Sequence, residues 1–292
     1  MLKELLFPLT KHFTFFNIFQ YITFRSAYAA VTALLICFIF MPRLISFLRR
    51  KQVGQEIRED GPQTHLIKSG TPTMGGILVN IAIILSDRMW QDIRNPYTWI
   101  VVVCILGFGT IGFIDDYLKV FKKSAEGLHA RFKFIGQTLL AFGIVTFLYF
   151  NSNPETTLLY IPFIKFPVLD LSLFYIPFGV VIIVGFSNAV NLTDGLDGLA
   201  SGLLIIVGMT FAILAYLTGR ADYSAYLQVP FLENAGELTV LCFSLIGSVV
   251  GFLWFNAHPA EIMLGDTGSL SLGGIIGVIA LMLKKEILLI II

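Results

Sequence analysis

Residues 99–119 read WIVVVCILGFGTIGFIDDYLK. The apolar run Trp99–Ile114 ends on two adjacent carboxylates, Asp115 and Asp116, with Lys119 one turn further on. A spanning helix needs roughly 20 apolar residues, because the hydrocarbon core is about 30 Å thick and each residue rises about 1.5 Å. A run of this length with charge at one end only predicts a transmembrane helix whose polar head stands at a membrane surface. Composition extends that reading to the whole chain. Of its 292 residues 56% are hydrophobic and 13% charged, whereas a soluble domain carries roughly 25% charged residues. The net charge of +1 lacks the basic excess of a nucleic-acid binder.

The pattern repeats along the chain. Eight runs are expected to cross: Ile22–Met41, Thr73–Leu85, Trp99–Ile114, Phe134–Phe150, Tyr175–Val190, Leu199–Leu217, Leu238–Trp254 and Leu270–Leu283. The second is short and extends toward Trp90. A ninth run starts at Ile287 and stops at Ile292, too short to cross. The expected fold is an all-α integral membrane protein, a polytopic helical bundle with eight full spans and a truncated ninth. Residues 1–292 read as one transmembrane domain, incomplete at the C-terminus. The first run lacks a small-residue cleavage site and reads as a retained span. Cys37, Cys104 and Cys242 lie in apolar runs without a CxxC pair, as buried small hydrophobes do.

The connections after spans one, three, five and seven share a face. The first holds Arg43, Arg49, Arg50, Lys51, Arg58 and Lys68, and the second Lys119, Lys122, Lys123, Arg131 and Lys133. The positive-inside rule places that face in the cytoplasm. Four polar segments fall on it: the loop from Arg58 to Thr73, Asp115-Asp116, Asn191 to Asp197, and Asn256 to Asp266. A transporter would more often carry charge near the midplane. Charge at the span ends points to an active site at the membrane surface.

Each segment has a plain reading beside the chemical one. Asp115 and Asp116 differ by about 100° around a helix, so one could bind a metal while the other accepts a proton; equally, they could be a solvated helix end. Lys119 shares the face of Asp115 and could hold a phosphate or pair with that carboxylate. Asp194 and Asp197 each precede a glycine and suit sugar hydroxyls, base N–H groups or a cation, or form a polar turn. Gly265-Asp266-Thr267-Gly268-Ser269 opens a helix, where free N–H groups favour phosphate oxygens; Asp266 or Thr267 could instead be an ordinary N-cap. Lys68, in the loop before Gly75-Gly76, could hold a phosphate. His65 reads as a loop histidine, and no pairing follows for His258 from sequence. Several aspartates with lysines at a bilayer surface fit phosphoryl transfer better than acyl or hydride chemistry. The membrane setting suits a lipid substrate.

Taken together, Gly54-Gln55 with Arg58, the Gly61–Gly76 loop, Asp115–Lys119, Asn188–Leu199 and Gly265–Ser269 match in order and spacing. The chain resembles the phospho-N-acetylmuramoyl-pentapeptide transferase family, within the polyprenyl-phosphate N-acetylhexosamine-1-phosphate transferases, from about Tyr21 to its end. The resemblance implies a Mg²⁺-dependent phosphoglycosyl transferase of peptidoglycan synthesis in the bacterial inner membrane, with its site on the cytoplasmic face. Its substrates would be UDP-N-acetylmuramoyl-pentapeptide and undecaprenyl phosphate, its products lipid I and UMP, and its assembly a homodimer. By match to the family, Asp266 is the principal Mg²⁺ ligand with Asp116 as the second. Asp115, Asp116, Asp266 and Lys119 are catalytic. Lys68, Lys133, Asn191, Asp194, Asp197, Asn256 and Met263 bind substrate. Met263 stands where the family commonly has a Phe that stacks on uracil. The family also has ten spans and a His-rich loop before the last, which this chain ends before reaching. Other readings are an N-acetylglucosamine-1-phosphate transferase, a polytopic transporter, or an inactive fragment.

Overall fold

The apolar runs form helices because, inside a bilayer, each backbone N–H and C=O must be satisfied within its own segment. The computed structural model describes residues 1–51, 71–122, 127–151, 154–162 and 164–291. In chain order the helices are α1 (Leu2–Leu6), α2 (Ile22–Arg50), α3 (Gly76–Trp90), α4 (Pro96–Phe121), α5 (Ala130–Asn151), α6 (Tyr175–Thr193), α7 (Leu199–Thr218), α8 (Ala221–Leu227), α9 (Glu237–Asn256), α10 (Gly265–Met282) and α11 (Glu286–Ile291). The antiparallel strands β1 (Leu158–Leu159) and β2 (Leu169–Asp170) form a small hairpin between α5 and α6. The chain is a polytopic all-α membrane protein.

Among the described residues, seven helices are long and apolar enough to cross a membrane: α2, α4, α5, α6 with its leading turn, α7, α9 and α10. The eighth expected span, α3, has 15 residues, about 22 Å of helix. It reaches Trp90 as the sequence suggests, but starts only at Gly76. The preceding segment is drawn into extended pairing with the entry to α10, where Met263 N donates to Pro72 O (2.9 Å), Gly75 N to Met263 O (3.0 Å) and Gly76 N to Leu264 O (2.8 Å). The ninth run forms α11, a short helix beginning at Glu286.

α10 is the central helix, buried along nearly its whole length against α3, α4, α6 and α7. Its small residues make this possible. A methyl group at Gly268 would strike the Gly76 backbone, so α3 crosses α10 at near backbone contact, as small residues allow in lipid. Asn80 fastens the same crossing. It donates to Thr267 O (3.1 Å) and accepts from Ser271 Oγ (2.7 Å).

The end of the bundle away from Asp115 is pinned by a buried ion pair. The Arg25 guanidinium donates twice to the Glu237 carboxylate (2.7 and 2.6 Å) and once to Trp90 O (3.1 Å). Glu237 also accepts from Asp92 N (3.0 Å), and its carbonyl accepts from Gln91 Nε2 (3.2 Å). Thus α2, α3 and α9 meet on one carboxylate. All three cysteines are free and buried, as their apolar surroundings suggest.

Glu237→Gln leaves the Arg25 charge buried without its partner and is expected to cost about 3–5 kcal/mol of stability. Thermal unfolding in detergent checks this, with Arg25→Met/Glu237→Leu expected to recover much of the loss. A single-variant cost below about 1 kcal/mol would show that the pair is not structural.

Candidate active site

Four helix ends meet at the other end of the bundle: the last turns of α4 and α6 and the first turns of α5 and α10. α4 brings Asp115, Asp116 and Lys119; α5 brings Lys133; α6 brings Asn191; and α10 brings Asp266. The approach of α4 to α10 requires glycine, since a methyl group at Gly112 would overlap the Asp266 carbonyl.

Asp115, Asp266, Lys119 and Lys133 form a crossed ion cluster. Lys119 Nζ lies 2.8 Å from Asp115 Oδ2 and 2.9 Å from Asp266 Oδ2. Lys133 Nζ lies 3.2 and 2.7 Å from the same two oxygens. The remaining oxygens are also held. Asp115 Oδ1 accepts from Leu128 N (2.6 Å), and Asp266 Oδ1 from Asn191 Nδ2 (2.7 Å), which also reaches Ser269 Oγ (2.8 Å).

Asp116 behaves differently from its neighbour. Its carboxylate accepts from Asp266 N (3.1 Å), Thr267 N (2.9 Å) and Thr267 Oγ1 (2.6 Å). Asp194 accepts from Gly265 N (3.0 Å). Gly265 has φ of 75°, a left-handed conformation that glycine adopts at no steric cost. This corrects the expectation of free N–H groups at the start of α10. The first three are taken by carboxylates from α4 and from the turn after α6, so anion binding at this end falls to the two lysines. Neither Asp266 nor Thr267 is the N-cap, since the cap position is Leu264 without a side-chain bond. A remote carboxylate performs that role instead, favoured by the positive end of the helix dipole.

The other expected site residues form an adjoining group at the turns after α6 and α9. Asp197 accepts from Ala260 N (3.3 Å) and lies 3.0 Å from His258 Nδ1, a pairing the sequence did not reveal. Asn256 is buried and engaged on both sides. Its Oδ1 accepts from Gly198 N (3.1 Å) and Ser201 Oγ (2.9 Å), and its Nδ2 donates to Ile262 O (3.0 Å). Met263 is also buried, its sulfur 3.9 Å from Asn256 Nδ2. Lys68 and His65 lie outside the described residues. Sequence reasoning passed over Asn80 and the Asn188–Gln137 contact (2.7 Å). The available signal was a polar side chain inside an apolar span.

A family described as glycosyl transferase family 4 matches residues 98–284, and a phospho-N-acetylmuramoyl-pentapeptide-transferase signature matches residues 68–78. A protein of Desulfosudis oleivorans named phospho-N-acetylmuramoyl-pentapeptide-transferase is 53% identical over 289 residues, 99% of this chain and 80% of its own length. The chain belongs to the phospho-N-acetylmuramoyl-pentapeptide-transferase family. Proteins of the same name from Thermodesulfovibrio yellowstonii (48% identical; 99% of this chain, 80% of that one) and Pelobacter propionicus (50%; 100% and 81%) agree. The chain therefore spans about four-fifths of the length of these relatives. The family match starts in the first turn of α4 and runs past α10, so it contains every residue of the ion cluster.

Asp116→Asn places an amide N–H₂ against one of the two backbone N–H donors, Asp266 N or Thr267 N according to the amide's orientation, and leaves that donor unpaired. Such a change is expected to cost about 1–3 kcal/mol, with Thr267→Val costing less because only one of three bonds is lost. Thermal unfolding of both variants checks the order. A larger loss in Thr267→Val would show that Asp116 does not hold α10.

Proposed function

We propose that this chain transfers phospho-N-acetylmuramoyl-pentapeptide from UDP to undecaprenyl phosphate, giving lipid I and UMP, as a single transmembrane transferase domain. The observation that carries the reading is the crossed cluster of Asp115, Asp266, Lys119 and Lys133 at one membrane surface, in a chain of this family. The basic excess around that end supports a cytoplasmic orientation in the bacterial inner membrane, where a soluble nucleotide sugar can reach it.

The donor set suits Mg²⁺. Asp115, Asp116 and Asp266 carry three negative charges against two on Lys119 and Lys133, so the cluster retains one net negative charge and offers oxygen donors only. Among the described residues, no three of His, Cys, Asp or Glu converge as a ready-made cage. That agrees with an ion that usually takes one or two carboxylates and completes its shell with water and substrate phosphate. Asp266 would hold it, with Asp116 as the second ligand. When bound, Mg²⁺ supplies Lewis-acid stabilisation of the charge on the transferring phosphoryl group.

The chain's own groups have separable tasks. Lys119 and Lys133, each already shared between two carboxylates, can turn an ammonium toward incoming phosphate oxygens and lower the repulsion between two anionic substrates. Asp115 sits beside both lysines and can accept a proton from the lipid phosphate. An oxygen of that phosphate then attacks the sugar-bearing phosphorus of UDP. The new P–O bond forms as the phosphoanhydride bond breaks, and UMP leaves. A phosphate monoester is already a competent nucleophile, which favours this direct attack over a covalent aspartyl intermediate. Asn191 holds Asp266 in register. Asp194, Asp197, Asn256 and Met263 shape the adjoining turns, where the nucleoside end of the donor would lie, and Lys68 is proposed as a further phosphate ligand.

Asp115→Asn is expected to lower kcat about 10²-fold or more with KM changed little, as for removal of a proton acceptor; equal effects on both would assign it to positioning. Asp266→Asn is expected to remove Mg²⁺-dependent turnover, and near-normal activity would exclude the metal role. Equal amounts of UDP-N-acetylmuramoyl-pentapeptide and UDP-N-acetylglucosamine supplied together should yield a lipid product with the mass of the pentapeptide-bearing sugar. A product carrying N-acetylglucosamine alone would overturn the sugar assignment.

A further inference from the structure

α2 is longer than the bilayer it crosses. Its 29 residues make about 43 Å of helix against a hydrocarbon core of roughly 30 Å. The buried Arg25–Glu237 pair lies near its start. From Arg25, about 20 residues exhaust the hydrocarbon thickness, which leaves the last two turns at the depth of the lipid headgroups. Pro42, Arg43, Ser46, Phe47 and Arg50 line a surface recess of about 410 Å³ that begins within one turn of that boundary and runs to the helix end.

Arg43 and Arg50 are seven residues apart and so lie on one face, two turns from each other. Both are exposed, and the same stripe continues toward the membrane centre as exposed Ile39 and Leu35. The recess therefore opens on lipid and not on the bundle interior. α2 contains no Asp or Glu. Among the described residues, the side-chain ion pairs of arginine are made by Arg25, Arg94 and Arg220. Arg43 donates to Ile39 O (3.3 Å) and lies over the Phe40 ring (5.6 Å to its centre), which leaves most of its N–H donors for another acceptor. Guanidinium forks match phosphate oxygens, and basic residues flanking a span attract anionic lipid.

We propose that the recess between Arg43 and Arg50 docks the phosphate headgroup of an anionic phospholipid, with an acyl chain along the Leu35–Ile39 stripe and Phe47 at the headgroup boundary. The site shares no residue with the Asp115–Asp266 cluster and does not depend on the transferase reading. Its occupant is a lipid of the bilayer itself, since charge complementarity and continuity with the lipid-facing stripe both select for it.

The test titrates the full chain in detergent with phosphatidylglycerol or phosphatidylcholine and reads bound lipid by native mass spectrometry. The wild-type chain should prefer phosphatidylglycerol. In Arg43→Gln/Arg50→Gln its affinity should fall about 25-fold, about fivefold for each basic residue removed near the headgroups, with phosphatidylcholine binding unchanged. Lys122→Gln/Arg131→Gln removes the same charge elsewhere at this end and should leave the preference intact. Unchanged phosphatidylglycerol binding in the Arg43/Arg50 variant would overturn the proposal. So would an equal loss in the Lys122/Arg131 variant, which would mean diffuse charge attraction. Displacement of the lipid by millimolar glycerol phosphate would also overturn it, since the site would then hold free phosphate.

Discussion

The start of α10 is held by carboxylates that are not its own. Asp116 from α4 takes two backbone N–H groups and the Thr267 hydroxyl, and Asp194 from the turn after α6 takes the N–H of Gly265. In a low-dielectric setting, buried donors left unpaired are costly. Satisfying them from neighbouring helices therefore joins three spans at one point. The position of Asp266 follows from that junction. With the first turn of α10 fixed, its side chain faces Lys119, Lys133 and Asn191.

The two adjacent aspartates thus divide their labour by direction. Consecutive helical residues point about 100° apart, and here one points at a helix terminus and the other at two ammonium groups. Asp116 holds the start of α10, and Asp115, equally buried, lies beside the lysines to which a catalytic role is proposed. The opposite end of the bundle follows the same logic with a different pair, where Arg25 and Glu237 gather α2, α3 and α9. Between these polar junctions the contacts are mostly apolar side chains and close glycine crossings, with isolated hydrogen bonds such as those of Asn80 and Ser187.

Much of this was legible in the sequence because its signals are local. The apolar runs, the Asp115-Asp116 pair at a span end, and the glycines around Gly265 each read correctly from neighbouring residues. The bundle, the helix limits near Trp90, and the meeting of Asp115, Lys119 and Asp266 at one end followed from them by parity. What escaped was pairing over long separation. Nothing local to Asp116 announces that its acceptors will be spent on N–H groups 150 residues away, and nothing around Arg25 announces Glu237. The later start of α3 escaped for the same reason, since Thr73 and Met74 are apolar enough for a span but are held by the strand-like pairing of Pro72 and Gly75 with Met263. Asn256 and Met263 read as ligand-facing from the family pattern, while burial and their own hydrogen bonds give them a structural task as well.

The central claim is that the four helix ends form a site for phosphoryl transfer between a nucleotide sugar and a membrane lipid. Its most direct test is UMP release by the detergent-solubilised chain, with UDP-N-acetylmuramoyl-pentapeptide, undecaprenyl phosphate and Mg²⁺ each present or withheld. The account predicts UMP only when all three are supplied. UMP formed at the same rate without the lipid, or none formed under any combination, would contradict it.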